Sequence, residues 1–272
     1  MFRRIVAALF LAGISLIAQA QACIPRKNDN PFKPGETLQY DILYKWGAVN
    51  TVVAKANFSL DEVNYNGSPV FHSLLTVKSA PFFDMFFKMR EHFEGWMTED
   101  DIRPVKFVRD THEGAYAATN LFYYDWDQRI IHADVNYESR GPEHIEIPLK
   151  DCVTDIGSIL YYTRGMDTSA LKVGSSYPLR FAIDDTIFDI HLTYKGKETV
   201  ARRRFGSFRC LKFSCSVVAG AMFDGTEDFL IWISDDGNLL PVTFRVPLRV
   251  GAMRGWINAW GGLKYDFSSF TE

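Results

Sequence analysis

The amino-acid sequence predicts an all-β, mainly antiparallel protein: two similar β-meander halves packed as a curled sandwich or barrel-like unit, with one helix near 151–164 between them. Three observations carry this expectation. Of the 272 residues, 47% are hydrophobic and 15% aromatic, and aromatic and β-branched side chains suit a pleated, half-buried surface better than a helix. Short runs of alternating apolar residues follow one another between turn-forming clusters, the pattern of a meander. Landmarks of the first half then recur in the second at a nearly fixed offset.

The chain opens with Arg3 and Arg4 and an apolar run from Ile5 to Ile17, shorter than the about 20 residues that span a bilayer. With the small-x-small run Ala18-Gln19-Ala20 behind it, this reads as a signal peptide over residues 1–20, so the mature protein is expected in the periplasm. The alternative is a lipoprotein anchored through Cys23, although Ala20-Gln21-Ala22 lacks the leucine expected three positions before a lipidated cysteine. Residues 21–30 read as a flexible lead-in. No second hydrophobic span follows, and a formal net charge of −3 implies neither nucleic acid nor an anionic membrane as partner.

The first strand is expected after the turn at Gly35, where residues from Glu36 to Tyr44 alternate in polarity. Further strands are expected at Val49–Leu60, Val70–Ser79, Met89–Met97, Val105–Asp110, Tyr116–Asp125 and Ile130–Tyr137. Asn66-Gly67-Ser68, Glu99-Asp100-Asp101 and Asp125-Trp126-Asp127-Gln128 separate them as turns. Only Asp151–Arg164 breaks the rhythm. Val153, Ile156, Ile159, Leu160 and Tyr162 recur near helical spacing, Gly165 stands at a helix stop, and Asp151 and Asp155 suit a helix amino end.

The echo between halves begins with Phe32-Lys33-Pro34-Gly35-Glu36-Thr37-Leu38 against Leu171-Lys172-Val173-Gly174-Ser175-Ser176-Tyr177, an offset of 139; Trp96 matches Trp232 at 136 and Pro104 matches Pro241 at 137. The domain plan is therefore a first β half over 31–150, a connecting helix over 151–165 and a second β half over 166–272, in one compact unit.

Three segments carry a family resemblance: Pro34-Gly35-Glu36-Thr37-Leu38-Gln39-Tyr40, the run from Asp151 to Arg164, and Ile231-Trp232-Ile233-Ser234-Asp235-Asp236 with Pro241. In this order and spacing they resemble the domain of unknown function 3108 family, across nearly the whole mature chain. The resemblance implies export, a periplasmic location and an all-β fold, and brings no activity or catalytic residue to carry over.

Four cysteines in an oxidising compartment allow several pairings. Cys210 and Cys215 are five apart on one expected strand and so point to opposite faces. A disulfide of Cys152 with Cys210 or Cys215 is expected, the alternative being buried thiols throughout.

Catalytic signatures are missing from the sequence: it holds no nucleophile elbow and no glycine-rich phosphate loop. Asp184-Asp185 and Asp235-Asp236 read as turn carboxylates. His92 and Glu94 share a strand face, with Glu91 or His112 as further donors, and His144 with Glu146 has the same form; a pair falls short of the three or four ligands a zinc site needs. No metal, cofactor or catalytic residue is therefore expected. The segment Pro81–Met89 is the densest in aromatic and methionine side chains. Phe82, Phe83, Met85, Phe86 and Phe87, with Trp96 and Trp232, are the expected ligand-binding residues for a lipid or other apolar envelope molecule, the alternative being that they close the core where two sheets meet; an envelope protein and peripheral membrane contact are further expected partners. An exported, non-catalytic carrier is the leading expectation. A structural or protein-binding envelope module comes next, and a hydrolase after it.

Overall fold

The computed structural model describes residues 23–217 and 229–272. The first half is an antiparallel meander of β1 (Glu36–Trp46), β2 (Val49–Tyr65), β3 (Ser68–Ser79), β4 (Met89–Met97), β5 (Pro104–Glu113), β6 (Tyr116–Asp125), β7 (Ile130–Tyr137) and β8 (Gly141–Pro148). A four-residue helix, α1 (Pro81–Asp84), interrupts it between β3 and β4. The second half comprises β9 (Val153–Asp155), α2 (Ile159–Arg164), a 3-10 turn at Thr168–Ala170, β10 (Ser176–Ile183), β11 (Thr186–Arg202), β12 (Gly206–Val217), β13 (Phe229–Ser234), β14 (Pro241–Pro247), β15 (Ala252–Gly261) and the short β16 (Phe270–Thr271).

All the strands belong to one 16-stranded sheet, in the order β8-β7-β6-β5-β4-β3-β2-β1-β15-β14-β13-β12-β11-β10-β9, with β16 on β12. The two meanders are joined where β1, the first long strand, pairs antiparallel with β15; β9 on β10 is the one parallel pairing in this path. The path does not close, since β8 and β9 are its two ends. The sheet curls instead, and brings the β9–α2 connection against the inner face of β4. There Gly157 meets Gly95 so closely that a Cβ on Gly157 would lie 2.7 Å from the Gly95 nitrogen, and Ser73 Oγ donates to the Gly157 carbonyl at 2.6 Å. Only glycine permits this backbone contact at both positions. Farther along the seam, Arg109 of β5 pairs with Asp184 of the β10–β11 turn at 2.6 Å.

Period-2 patterning explains which face is inside. Alternate residues of β4, β6 and β7 are buried, so Phe93, Phe107, Phe122, Ile131 and Ala133 converge in one core. Turn chemistry sets the registers: Asn66 and Gly67 have φ of 51° and 87°, the left-handed pair that a two-residue hairpin requires. The expected boundaries of β4, β6 and β7 coincide with the observed ones, and β2 and β11, the second long strands of their halves, are each 17 residues long.

The helix expected over 151–164 is much shorter. Residues Val153–Asp155 form β9, and α2 starts only at Ile159. Cys152 sits at φ 62°, and Asp155 Oδ1 accepts the Ser158 amide at 2.8 Å, so a tight turn replaces the first helical turns. Short apolar runs fit either period, and here the sheet edge takes the first of them.

The lead-in expected to be flexible is fastened from Cys23 onward. Ile24 is buried, Arg26 donates to the Tyr162 carbonyl at 2.7 Å, and Asn30 donates to the Glu99 carbonyl at 2.6 Å. Cys23 also corrects the disulfide assignment: it pairs with Cys152, across 129 residues of sequence, whereas Cys210 and Cys215 are buried and form no disulfide. A sulfur held in that bond is unavailable for a lipid thioether. Sequence spacing could not find the pair, because the curl of the sheet decides which distant segments meet. Residues 1–20, expected to be a signal peptide, lie outside the described residues, among which no helix is long and apolar enough to cross a membrane.

One end of the curled sheet is closed by the N-terminal segment, α2, the β13–β14 turn and the C-terminal residues. At its centre Arg164 of α2 is fully buried and forks onto Glu36 at the start of β1, with Nη2 to Oε2 at 2.8 Å and Nη1 to Oε1 closer still. Its Nε donates to the Asn238 carbonyl at 3.0 Å, and the rings of Phe32 and Tyr161 flank the guanidinium. Glu36 and Arg164 come from two of the segments that carry the family resemblance, and Asn238 lies just beyond the third, between Asp236 and Pro241.

Burial also sets a pH dependence. Asp155 is fully enclosed, and burial raises its carboxyl to about 7 despite the hydrogen bonds from Ser158. Glu91, buried under Thr111, is likewise raised to about 7. A carboxyl whose folded pKa is raised stabilises the fold most below its unfolded pKa, and that contribution is lost as pH rises through about 7. The unfolding free energy is therefore expected to be greater at pH 5.5 than at pH 8, by about 2 kcal/mol for Asp155. Urea titrations at the two pH values check this, and Asp155→Asn should remove the Asp155 share of the difference and leave that of Glu91.

Candidate functional site

Between the two halves the side chains leave a cavity of about 340 Å³. The first half contributes Tyr40 and Ile42 of β1, Ala56 and Phe58 of β2, and Leu75 and Val77 of β3. The second contributes Leu179, Ile190, Leu192 and Cys215, then Phe229, Ile231 and Ile233 of β13 with Pro241 and Phe244 of β14. Ile159, Leu160 and Thr163 of α2 complete the wall. These residues recur two apart along their strands because alternate side chains face one side of a sheet.

The cavity presents hydrocarbon almost everywhere. Its few hydroxyls are spent elsewhere: Tyr40 Oη donates to the Pro241 carbonyl at 2.8 Å, and Thr163 Oγ1 to the Ile159 carbonyl at 2.8 Å. Among the described residues, no charged residue and no histidine lines it. Such a site can enclose an apolar group, with nothing to polarise a bond or hold a metal. The cavity runs from α2 toward the opposite end of the sheet, where β3 ends just beyond Val77 and β13 begins at Phe229. Phe58, Val77, Phe229 and Phe244 are only half-buried along it.

The expected ligand-binding residues fall elsewhere. Phe82 and Phe83 are on α1, and Met85, Phe86 and Phe87 follow it at that end of the sheet; all but Phe83 are exposed, and none lines the cavity. Trp96 and Trp232 hold matching places in the two halves but face away from the cavity, because Ile231 and Ile233 on either side of Trp232 face into it. Each indole carries a lysine from the neighbouring strand: Lys106 over Trp96 at 4.3 Å and Lys212 over Trp232 at 5.2 Å.

His92 and Glu94 make no converged site with Glu91 or His112, the further donors expected for them. Glu94 bridges His72 and His92 at 2.7 and 2.8 Å; burial opposes its ionisation, but these hydrogen bonds outweigh that and lower its pKa. Glu91 points to the other face of β4 and accepts from Thr111, while His112 pairs with Asp110. On the edge hairpin, donor atoms of His132, His144 and Glu146 lie within 4.8 Å of one another. Glu146 and His144 are exposed, and His144 Nδ1 is engaged by Asp134 at 2.7 Å. Asp236, from one expected turn pair, accepts the Asn238 amide at 3.0 Å and the Ser269 amide at 3.1 Å, so its role is to fix the closed end.

Fold and cavity together define a barrel-like, mostly antiparallel protein. The chain belongs to the DUF3108 family, proteins of unknown function, whose model matches residues 39–255. In three dimensions it is similar to a β-barrel-like protein of domain of unknown function DUF1849 from Brucella abortus, at 11% identity and a TM-score of 0.52, over 88% of this chain and 100% of that one. A protein with a YmcC-like fold from Bacteroides fragilis is similar at 8% identity and a TM-score of 0.31, over 88% of this chain and 100% of that one. No curated protein matches the chain.

Proposed function

We propose that this is an exported, non-catalytic binding protein that holds an apolar group of an envelope molecule, a lipid acyl chain, in the cavity between its two halves. The observation that carries the reading is the wall itself: a space of about 340 Å³, within the about 300–1,000 Å³ range of small-molecule sites, enclosed by hydrocarbon, with its hydroxyls turned to backbone carbonyls. Two similar meanders, read here as copies of one unit, give such a space naturally, since each presents an apolar inner face that the other covers. Export is supported by the Cys23–Cys152 disulfide, a bond that persists in oxidising compartments.

The competing reading, a protein-binding module, would be favoured by an open edge strand. The free edge β8 instead carries Pro142, Glu143, His144, Glu146 and Pro148, a composition that blunts strand addition.

Filling the cavity tests the proposal. Ala56→Phe and Val77→Phe each place a ring into the space, and each is expected to weaken binding of the fluorescent apolar probe N-phenyl-1-naphthylamine at least tenfold while the protein stays folded by circular dichroism. Unchanged probe affinity in both folded variants would show that the cavity is not the binding site.

A further inference from the structure

We propose that the outer face of the edge hairpin is a binding site for a divalent transition-metal ion of the zinc class, held by His132, His144 and Glu146, with Asp134 as the carboxylate that positions His144. The site is independent of the cavity, because Ile131, Ala133 and Val135 of β7 turn to the core while His132 and Asp134 turn to the other face.

The pairing of β7 with β8 sets four side chains in a square. His132 and Asp134 are two apart on β7, and His144 and Glu146 two apart on β8, so each pair shares a face. The register puts Glu146 opposite His132 and His144 opposite Asp134. Sequence spacing supplies only the pair His144 and Glu146, and the third donor arrives from the neighbouring strand. One donor atom from each of His132, His144 and Glu146 lies within 4.8 Å of the other two, and His132 Nδ1 stands 3.7 Å from Glu146 Oε1. Ligand atoms on one tetrahedral zinc are about 3.3 Å apart, given bonds of about 2.0–2.1 Å, so small rotations of side chains at the surface complete the set. The two imidazoles lie nearly parallel, at 16°, with centroids 6.4 Å apart.

Asp134 supplies a second, separate observation. Its Oδ1 is 2.7 Å from His144 Nδ1, and because a carboxylate only accepts, Nδ1 carries the proton and Nε2 keeps its lone pair for a metal. A metal-bound histidine almost always gives its other ring nitrogen to such a partner. The β6 residues in register with His132 and Asp134 are Tyr123 and Leu121, neither of them a cation that would compete for the carboxylates. His72 and His92 differ: Nε2 of each is spent on Glu94, and among the described residues only His132, His144 and Glu146 converge. Two imidazole nitrogens and one carboxylate oxygen suit zinc and its neighbours, whereas calcium and magnesium take oxygen ligands. The ligands come from both strands of the hairpin, so the bound ion clamps the edge strand β8 to β7 and stabilises the folded chain by mass action.

The test is titration of the chelator-treated mature protein with Zn²⁺ in competition with a chromophoric chelator. One Zn²⁺ per chain is expected. Affinity should fall at least tenfold in His132→Ala, His144→Ala and Glu146→Gln, and about tenfold in Asp134→Asn, whereas His92→Ala should bind as the wild type does. Circular dichroism checks that each variant folds. Zn²⁺ should also raise the urea midpoint of the wild type, slow hydrogen exchange at the β8 amides, and do neither in His144→Ala. Unchanged affinity in the three ligand variants, or Ca²⁺ and Mg²⁺ binding as tightly as Zn²⁺, would overturn the site; unchanged affinity in Asp134→Asn would overturn its positioning role. Loss of N-phenyl-1-naphthylamine binding in a protein that still binds Zn²⁺ would remove the cavity reading and uphold this one.

Discussion

Replacing Arg164 with alanine is expected to cost about 3–5 kcal/mol of folding stability, the range for breaking a buried ion pair by removing one partner. Arg164 and Glu36 are both wholly buried, so the variant leaves a carboxylate enclosed without its counter-charge. It also removes the donor to Asn238 and the guanidinium between Phe32 and Tyr161, and so loosens α2, β1 and the β13–β14 turn together. Urea denaturation of the purified variant measures the loss. The double variant Arg164→Met with Glu36→Gln is expected to recover a large part of it, because no buried charge is then stranded. A single-variant loss below about 1 kcal/mol would place this pair among weakly contributing surface bridges instead.

The second large effect is expected at the disulfide. Cys23→Ser should cost about 2–5 kcal/mol, because the bond closes a loop of more than a hundred residues and restricts the unfolded chain. The separation of 129 residues puts it toward the long-loop end of that relation. Reductant should lower the wild-type urea midpoint to that of Cys23→Ser and leave the variant unchanged. The same bond anchors the N-terminal segment over α2, so limited proteolysis of the variant should begin near residues 23–30. Cys210→Ser should not reproduce the reductant effect, since that thiol, raised to about 12 chiefly by burial, takes part in no bridge.

Much of the architecture was legible in the sequence for a local reason. β4, β6 and β7 alternate cleanly and end at strong turn residues, so period and punctuation agree. Asp151–Arg164 was misread as one helix because Val153 and Ile156 satisfy either period over so short a run, and only contact with Gly95 and β10 selects the strand. The Cys23–Cys152 bond depends on a curl that brings segments 129 residues apart together, and no spacing rule contains that curl. The cavity was half legible. Ile190 and Leu192, or Ile231 and Ile233, announce an inner face by their spacing, but the same pattern describes a filled core, and the distinction lies in how far the two halves stand apart. The aromatic density of Phe82–Phe87 pointed to apolar contact, and the structure places it on α1 and the exposed residues that follow, instead of on the cavity wall.

Carriage of an apolar group between the two halves is tested most directly by native mass spectrometry. The mature protein would be purified without detergent from its own envelope and measured before and after solvent extraction. The account predicts an added mass that extraction removes, that is identifiable as a lipid or other acyl-bearing molecule, and that is absent from Ala56→Phe. An identical bare-chain mass before and after extraction, from protein that also fails to take up added phospholipid, would contradict it.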